Sequence, residues 1–232
     1  MIQSPTPSPA RLDRRLPVVN QIFDALRNEI IALHLEPGSN VSRSALAARF
    51  GVSQTPIREA LLRLEQQGLV DVFPQSGTMI SLIDARQAAQ AQFLRVAVEA
   101  EVAETIARKP TAYDLSEAEA ILAEMWRIWR GTNDPRAIRP PDQSFHAALC
   151  EAVGHGELWE QVVARSGNVD RLRSINIYPG KAERILAEHG ELLDALKAGD
   201  APRARAAVRV HLSETLRAVD DLRTAYPHYF LP

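Results

Sequence analysis

The segment Leu46–Phe73 constrains the fold of this 232-residue chain more than any other stretch. Gly51 and Val52 separate two short helical patterns, and Pro56 falls in the first turn of the second pattern, where proline is well tolerated. In that second pattern the apolar residues recur at i, i+3, i+4 and i+7, as Ile57, Ala60, Leu61 and Leu64. This spacing predicts two helices joined by a tight turn, the second of which buries one face.

The other face of the predicted second helix is polar. It presents Thr55, Arg58 and Glu59, with Gln54 at the helix start and Leu62 as the apolar exception. Glutamine, threonine and arginine read base edges or bind phosphates, and a helix of this kind fits the DNA major groove. The segment therefore predicts a DNA-binding protein.

The residues around this segment complete a domain with a wing. Periodic apolar residues predict a helix over Val18–Leu33, which the Pro37-Gly38 turn ends. The remaining predicted elements are helices near Arg43–Phe50 and Gln54–Gln67, and strands Leu69–Phe73 and Thr78–Leu82 with a wing tip at Gln75–Thr78. Residues 17–84 are thus predicted to form a winged helix-turn-helix DNA-binding domain. The proline- and arginine-rich residues 1–16 are predicted to be a flexible arm, either a solvated tail or an arm that reaches the DNA backbone.

The rest of the chain is predicted to be helical throughout. Alanine- and leucine-rich segments follow one another after Asp84 with no convincing strand. The predicted helices cover residues 85–108, 116–130, 141–153, 158–177, 182–197 and 202–226. The fold class is therefore mainly α, with an N-terminal winged helix-turn-helix and a C-terminal antiparallel all-helical bundle over residues 85–232.

Composition excludes several classes of protein. No apolar run approaches the roughly 18 residues that suggest a membrane span, and the N-terminus lacks a signal-peptide pattern, so we expect no membrane partner. The single Cys150 excludes an intrachain disulfide and fits the reducing cytoplasm. The net charge of −2 is unusual for a DNA-binding protein, but four arginines face only Glu59 between Ser42 and Arg63. A local basic patch on a neutral protein favours sequence-selective binding over general coating of DNA.

The helical bundle contains a candidate metal site. Asp142 and His146 are spaced i, i+4, which places a carboxylate and an imidazole on one face of a helix. Two further histidines, His189 and His211, lie in the last two long helical patterns. Each could instead be an ordinary core or surface histidine, but the four together predict a site with three histidines and one carboxylate. Nitrogen and oxygen donors of this kind accept zinc, nickel or manganese, so the expected cofactor is a divalent metal ion.

At this point the residues resemble a known family. The pattern LxPGxxVxxxxLAxxFGVSxTPIREALxRLxxxGLV, which begins at Leu35, resembles the GntR superfamily of bacterial transcription regulators. The bundle resembles its FadR-type branch, which has an all-helical ligand-binding domain called FCD. Arg95 and Glu99 match its first helix. The residues that match its metal-binding branch are Asp142, Phe145, His146, Glu188, His189 and His211.

The resemblance implies roles for individual residues of the first domain. Thr55 and Arg58 would contact DNA, and Gly77 would let the wing approach the minor groove. Family members often carry arginine where this chain has Gln54 and Ser44, so the operator sequence of relatives does not transfer to it. Arg43, next to Ser44, could take over a contact, and Ser53 and Gln54 complete the predicted DNA-binding set.

The resemblance also implies a small-molecule signal for the bundle. A small carboxylate effector would bind at the metal site, with Arg95 and Arg173 as candidate partners because a guanidinium matches a carboxylate. The alternative for Arg95 is a simple ion pair with Glu99 one turn away. The expected protein is a homodimeric, cytoplasmic, effector-responsive regulator that binds a pseudo-palindromic double-stranded DNA operator. The alternatives are a regulator that senses the metal itself and a metalloenzyme; we expect no enzyme because no general base lies beside the predicted ligands.

Overall fold

The N-terminal part of the chain forms three helices and a small sheet in the computed structural model, which describes residues 12–13, 15–73 and 77–232. The elements are α1 (Val18–Ile31), β1 (Asn40–Val41), α2 (Arg43–Phe50), α3 (Gln54–Gln66), β2 (Val70–Phe73) and β3 (Gly77–Ile80). The bounds of α2 agree with the sequence prediction, and those of α1 and α3 are shorter by one or two residues. Most of the predicted arm, residues 1–11 and 14, and residues 74–76 of the predicted wing tip lie outside the described residues.

The turn between α2 and α3 depends on specific backbone geometry. The Ser42 side chain caps α2 by accepting a hydrogen bond from the backbone N–H of Ala45 at 3.3 Å. Gly51 ends α2 in the left-handed conformation, with φ of +66°, and its N–H donates to backbone carbonyls of the preceding turn. The predicted apolar face of α3 is buried against the core, in contact with α1. The helix-turn-helix thus folds as its residue pattern predicts.

The sheet contains one strand that the sequence pattern did not predict. Strands β2 and β3 form the expected antiparallel hairpin, in which Val70 pairs with Ile80 and Phe73 with Gly77. The added strand β1 pairs with the other side of β3, where Asn40 lies opposite Met79, so the order is β1-β3-β2. Two residues are too few to show the alternation that identifies a strand.

The last residues of the chain join the N-terminal unit. The two compact units are Met1–Asp84 with Ala225–Pro232, and Ala85–Thr224. A short 3₁₀ turn, Pro227–Tyr229, leads to Phe230, which is buried and forms a parallel bridge with Ile83. The N–H of Ile83 donates to the Tyr229 carbonyl at 2.8 Å, and the N–H of Leu231 donates to the Ile83 carbonyl at 3.0 Å. Residues 225–232, which the sequence prediction grouped with the bundle, therefore pack on the first unit.

The second unit is the predicted helical bundle. Its helices are α4 (Ala85–Ala107), α5 (Ser116–Thr132), α6 (Arg139–Ala152), α7 (Gly156–Arg165), α8 (Gly167–Ile175), α9 (Lys181–Lys197), α10 (Ala201–Arg217) and α11 (Val219–Ala225). The sequence predicted one helix over 158–177, but the structure divides it at Ser166. The Ser166 hydroxyl donates to the Val163 carbonyl at 3.0 Å and contacts a carboxylate oxygen of Asp170 at 2.5 Å, ahead of the weak helix former Gly167.

Helix α4 is central to this unit. It packs against α6, α7, α8, α9 and α10, and apolar residues such as Ala88, Ala103 and Ile106 face the core. The same buried face carries Gln92, Arg95 and Glu99 in the middle of the helix. Buried polar groups need partners, so this stretch marks the polar centre of the bundle. Among the described residues no helix is long and apolar enough to cross a membrane.

Candidate DNA-reading face and metal centre

The outward side of α3 carries the side chains that the sequence assigns to DNA contact. Gln54, Thr55 and Arg58 are exposed, while the opposite side of the helix is buried. Together with residues of α2 and the sheet they border a concavity of about 540 Å³. Its lining consists of Arg43, Gln54, Thr55, Arg58, Leu61, Leu62, Val72 and Thr78. Four of the six predicted DNA-binding residues therefore lie on one surface, which we call the reading face.

The other two predicted DNA-binding residues lie beside this concavity. Ser53 is exposed at the N-cap position of α3, and its side chain makes no capping hydrogen bond. Gly77 opens β3 with φ of +117°, a conformation that side-chain-bearing residues rarely adopt. It is exposed, and a Cβ atom added there would meet nothing within 4 Å. Only the backbone conformation therefore requires glycine at this position.

The predicted basic patch separates into two pairs of arginines. Arg49 forms a bidentate pair with Glu29, and one of its contacts measures 2.8 Å. Arg63 donates to the Asn20 side chain at 2.7 Å and lies over the Phe23 ring. Among the described residues, Arg43 and Arg58 have no ion-pair partner. The guanidinium groups available on the reading face are therefore those of Arg43 and Arg58.

The four predicted metal ligands converge in the bundle. Asp142 and His146 lie on α6, His189 on α9 and His211 on α10, and one ligand atom from each lies within 4.8 Å of the others. The Nε2 atoms of His146 and His189 are 3.3 Å apart, and Asp142 Oδ1 lies 3.4 Å from His189 Nε2 and 3.8 Å from His146 Nε2. Donor atoms about 2.0–2.2 Å from one ion lie about 3–4 Å from one another, so the separations fit a single metal ion.

Two glutamates orient the imidazoles. His211 Nδ1 is hydrogen-bonded to Oε2 of Glu188 at 2.9 Å, and His146 Nδ1 is in ion-pair contact with Oε2 of Glu99 at 2.7 Å without hydrogen-bond alignment. A carboxylate on Nδ1 leaves Nε2 as the free donor to a metal. The Nε2 atom of His211 is buried and has no hydrogen-bond partner among the described residues, as expected of a ligand atom. The outer carboxylates thus favour the tautomer that a metal site needs.

Burial and neighbouring charge favour the metal-binding protonation state of His146, His189 and Asp142. Burial lowers the pKa of His146 and, more strongly, that of His189, so both imidazoles favour the neutral form. Burial alone would raise the pKa of Asp142, but its electrostatic interactions with the neighbouring imidazoles and with the Arg173 guanidinium outweigh burial and hold the pKa below its usual range. A neutral imidazole and an ionised carboxylate are the forms that bind metal.

The two predicted effector-binding arginines both lie near this cluster. Arg95 is buried, its Nε donates to Glu99, and its guanidinium lies over the Trp159 ring at 5.2 Å. The predicted alternative, the Arg95–Glu99 pair, is therefore present. Arg173, at the end of α8, is partly exposed and close enough to Asp142 to lower the pKa of that carboxyl.

Sequence reasoning did not assign the orienting roles of Glu99 and Glu188. Both residues belong to motifs that resemble the family. Glu99, however, contacts His146, which is 47 positions away in the sequence, and Glu188 contacts His211, which is 23 positions away. Local spacing carries no signal for such contacts. The three histidines outside the cluster, His34, His155 and His228, are exposed.

Comparison with known proteins agrees with both parts of the chain. Residues 18–80 match the family described as "Bacterial regulatory proteins, gntR family", and residues 90–214 match the FCD domain. An HTH-type transcriptional regulator in an unstable DNA locus of Streptomyces ambofaciens is 36% identical over 210 residues, which is 90% of this chain and 88% of the relative. The HTH-type transcriptional repressor RspR of Escherichia coli K12 is 28% identical over 95% of this chain and 96% of its own length.

Solved structures share the fold. A GntR transcriptional regulator from Rhodococcus sp. RHA1 superposes with a TM-score of 0.73 at 21% identity, covering 88% of this chain and 97% of that one. Escherichia coli McbR/YncC gives 0.69 at 23% identity, covering 92% and 99%. The relatives are transcription regulators, not enzymes. With its exposed reading face, its helical unit and these matches, the chain belongs to the gntR family of bacterial regulatory proteins and is a DNA-binding transcription regulator with an FCD domain.

Proposed function

We propose that this regulator binds a pseudo-palindromic operator as a homodimer and that a small carboxylate, bound at a divalent metal ion in the bundle, controls the binding. The observation that supports the proposal is the convergence of four candidate ligands: Asp142, His146, His189 and His211. The carboxylates of Glu99 and Glu188 contact the Nδ1 atoms of two of these imidazoles, on the side away from the ligand atoms. A purely structural polar cluster would not need three imidazoles that direct nitrogen atoms at one point. A protein that reads operators in a bacterium acts in the cytoplasm.

The metal would be held by these four side chains, and zinc, nickel and manganese all accept such donors. A bound divalent ion supplies a Lewis-acidic centre for a carboxylate oxygen. The protein itself supplies the cationic side chain that would pair with the effector. Arg95 lies beside the ligands and is held in place by Glu99 and the Trp159 ring. Effector binding alters operator affinity only if the effector binds DNA-competent and DNA-incompetent arrangements with different strength.

An exposed apolar face supports the homodimer. Phe93 on α4 is 77% exposed and Val210 on α10 is 59% exposed. Gln92 donates to the Leu212 carbonyl, so these stretches of the two helices lie side by side. A twofold axis would pair this face with its own copy and present two reading faces to two half-sites.

The assignment of the reading face is tested with Arg58→Ala. DNA fragments that the wild-type protein selects from a random library serve as the operator, and binding is measured against scrambled fragments of equal length. We expect Arg58→Ala to reduce operator affinity by at least about tenfold while circular dichroism stays unchanged, because a base or phosphate contact is lost. Gln66→Ala, exposed at the far end of the same helix, is the control. Equal operator affinity of Arg58→Ala and the control would refute the assignment.

The effector and metal are tested together on purified full-length protein. Elemental analysis identifies the bound metal, and operator binding is then titrated with metal alone and with metal plus a panel of organic acids. A response that requires an acid supports the proposed function. A response to metal alone would assign the site to metal sensing.

A further inference from the structure

The metal centre is bordered by a guanidinium that is only partly satisfied. Arg95 is 2% exposed and uses its Nε on Glu99, whose other carboxylate oxygen contacts His146. The Nη2 atom of Arg95 is buried and has no hydrogen-bond partner among the described residues. An unsatisfied buried donor on a cation is costly, so a ligand oxygen at this position would stabilise the site.

A second guanidinium lies nearby without a partner of its own. Among the described residues, Arg173 makes no side-chain hydrogen bond or ion pair. Burial first, and the charge of Arg95 second, lower its pKa to about 10. Arg173 is partly exposed, so a small solute can reach it. Two guanidinium groups beside the same polar site, one with an unpartnered buried donor and one without an ion pair among the described residues, favour the binding of an anion there.

The nearest acids do not neutralise Arg173. The buried Asp170 is paired with Arg139 at 3.3 Å and contacts Ser166 Oγ at 2.5 Å. Asp142 belongs to the metal-ligand set, where its Oδ1 lies 3.4 Å from His189 Nε2. Neither carboxylate lies within ion-pair distance of Arg173.

The same side of the site carries one more buried cation. Lys181, the first residue of α9, donates through Nζ to the backbone carbonyls of Arg173 and Asn176. Burial, followed by the charges of Arg173 and Arg184, lowers the pKa of Lys181 to about 8. It has no carboxylate partner among the described residues. Carbonyl oxygens hold its position but leave its positive charge uncompensated.

A charge balance follows from these pairings. Arg95 is matched by Glu99 and Arg139 by Asp170. Asp142 contributes one negative charge, and Arg184 with its two partners Glu188 and Glu214 contributes one more. Arg173 and Lys181 remain, and a divalent ion would add two further positive charges. One monocarboxylate leaves this region positive by one charge, and uncompensated buried charge is unfavourable.

We propose that the effector carries two anionic groups, most simply a small dicarboxylic acid, with one carboxylate at the metal centre and Arg95 and the second at Arg173. This inference rests on the proposed function, because it assumes that an acid binds at the four-ligand site. Arg173 then determines specificity for the second acidic group. A phosphate ester of a small carboxylic acid presents the same two charges and is distinguished by experiment.

The test uses full-length protein loaded with zinc and isothermal titration calorimetry with matched acids. The pairs are succinate with propionate, malate with lactate, and phosphoglycolate with glycolate, which differ by one anionic group. We expect the doubly acidic member of at least one carboxylate pair to bind about tenfold or more tightly than its partner, since a hydrogen bond between charged groups has at least this effect. A preference only for phosphoglycolate would refute a dicarboxylic acid in favour of a phosphate ester.

The variant Arg173→Gln tests whether Arg173 binds the second anionic group of the ligand. We expect the preference for the doubly acidic ligand to fall to about twofold or less, while propionate or lactate affinity and zinc content remain as in wild type. Arg165→Gln, an exposed arginine at the end of α7, is the control and should keep the preference. If Arg173→Gln does not fold, Arg173→Lys keeps the charge and should retain a reduced preference.

Two outcomes contradict the inference separately from the proposed function. Equal affinity within every pair, or an equal loss of both ligand classes in Arg173→Gln, would refute the two-group effector and leave a monocarboxylate regulator. If zinc-loaded protein binds none of the acids, the carboxylate effector of the proposed function is refuted, and this inference with it.

Discussion

At the scale of single residues, contacts between distant positions determine what each charged side chain can do. Arg43, Arg49, Arg58 and Arg63 form one basic cluster in the sequence. In the fold, Arg49 binds Glu29 and Arg63 binds Asn20, so only Arg43 and Arg58 remain available to DNA among them. Arg95 likewise pairs with Glu99 and still has an unsatisfied donor. A charge count by segment cannot distinguish these cases.

Glu99 provides a test of the orienting contacts at this scale. Glu99→Gln weakens the acceptor at His146 Nδ1 and removes the partner of buried Arg95. We expect metal affinity to fall by about 10- to 100-fold, as is typical when the outer partner of a ligating histidine is lost. Competition with a metal chelator measures the change.

The matched control is Glu101→Gln, two residues away on the same helix, whose side chain is 73% exposed. It should leave metal affinity at the wild-type level. If both variants bind metal as wild type does, Glu99 does not orient a ligand.

At the scale of secondary-structure elements, the helix-turn-helix and the wing follow from local signals. Gly51 in the left-handed conformation joins α2 to α3, and the apolar spacing of α3 settles which face it buries. Hydrophobic periodicity predicted single helices over 158–177 and 202–226, but the structure divides the first at Ser166 and the second at Ala218. In both cases apolar residues continue on either side of the break. Hydrophobic periodicity indicates which face of a helix is buried, but it does not locate the position where one helix ends and the next begins.

The backbone of the turn is tested with Gly51→Ala. A Cβ atom added at Gly51 would meet nothing within 4 Å, so the cost comes from the left-handed conformation alone. We expect the free energy of unfolding to fall by about 1–2 kcal/mol, measured by urea denaturation with a helical signal.

Gly131→Ala is the contrasting variant, because Gly131 lies in α5 and a Cβ atom there also meets nothing within 4 Å. Alanine is the better helix former, so this variant should gain up to about 1 kcal/mol. Changes of the same sign in both variants would show that the Gly51 conformation is not what requires glycine.

At the scale of the whole molecule, the chain combines a reader of DNA with a unit that carries a candidate sensor site. The first unit is closed by the C-terminal residues through the bridge between Ile83 and Phe230. The second unit holds the metal-ligand cluster and the exposed apolar residues Phe93 and Val210. Matches over residues 18–80 and 90–214 assign both units to one family of regulators.

The proposed homodimer is tested with Phe93→Asp. A charge in place of an exposed aromatic ring would be buried unpaired in the dimer, so we expect the dimer dissociation constant to rise at least about tenfold. Analytical ultracentrifugation measures it, and operator affinity should fall in parallel. Leu158→Asp, which alters an exposed leucine on α7, should leave the dimer intact. An unchanged mass distribution for Phe93→Asp would exclude this face.

The sequence by itself determined the mainly α class, the winged helix-turn-helix, the inward face of α3 and the pairing of Asp142 with His146 on one helix face. These depend on periodicity, turn residues and i, i+4 spacing, which act over a few positions along the chain. Only the tertiary structure decided that Arg49 and Arg63 are engaged, that Glu99 and Glu188 stand behind two imidazoles, and that Phe230 packs at Ile83. These contacts join residues up to 147 positions apart, as from Ile83 to Phe230, and depend on how packed helices bring distant chain segments together.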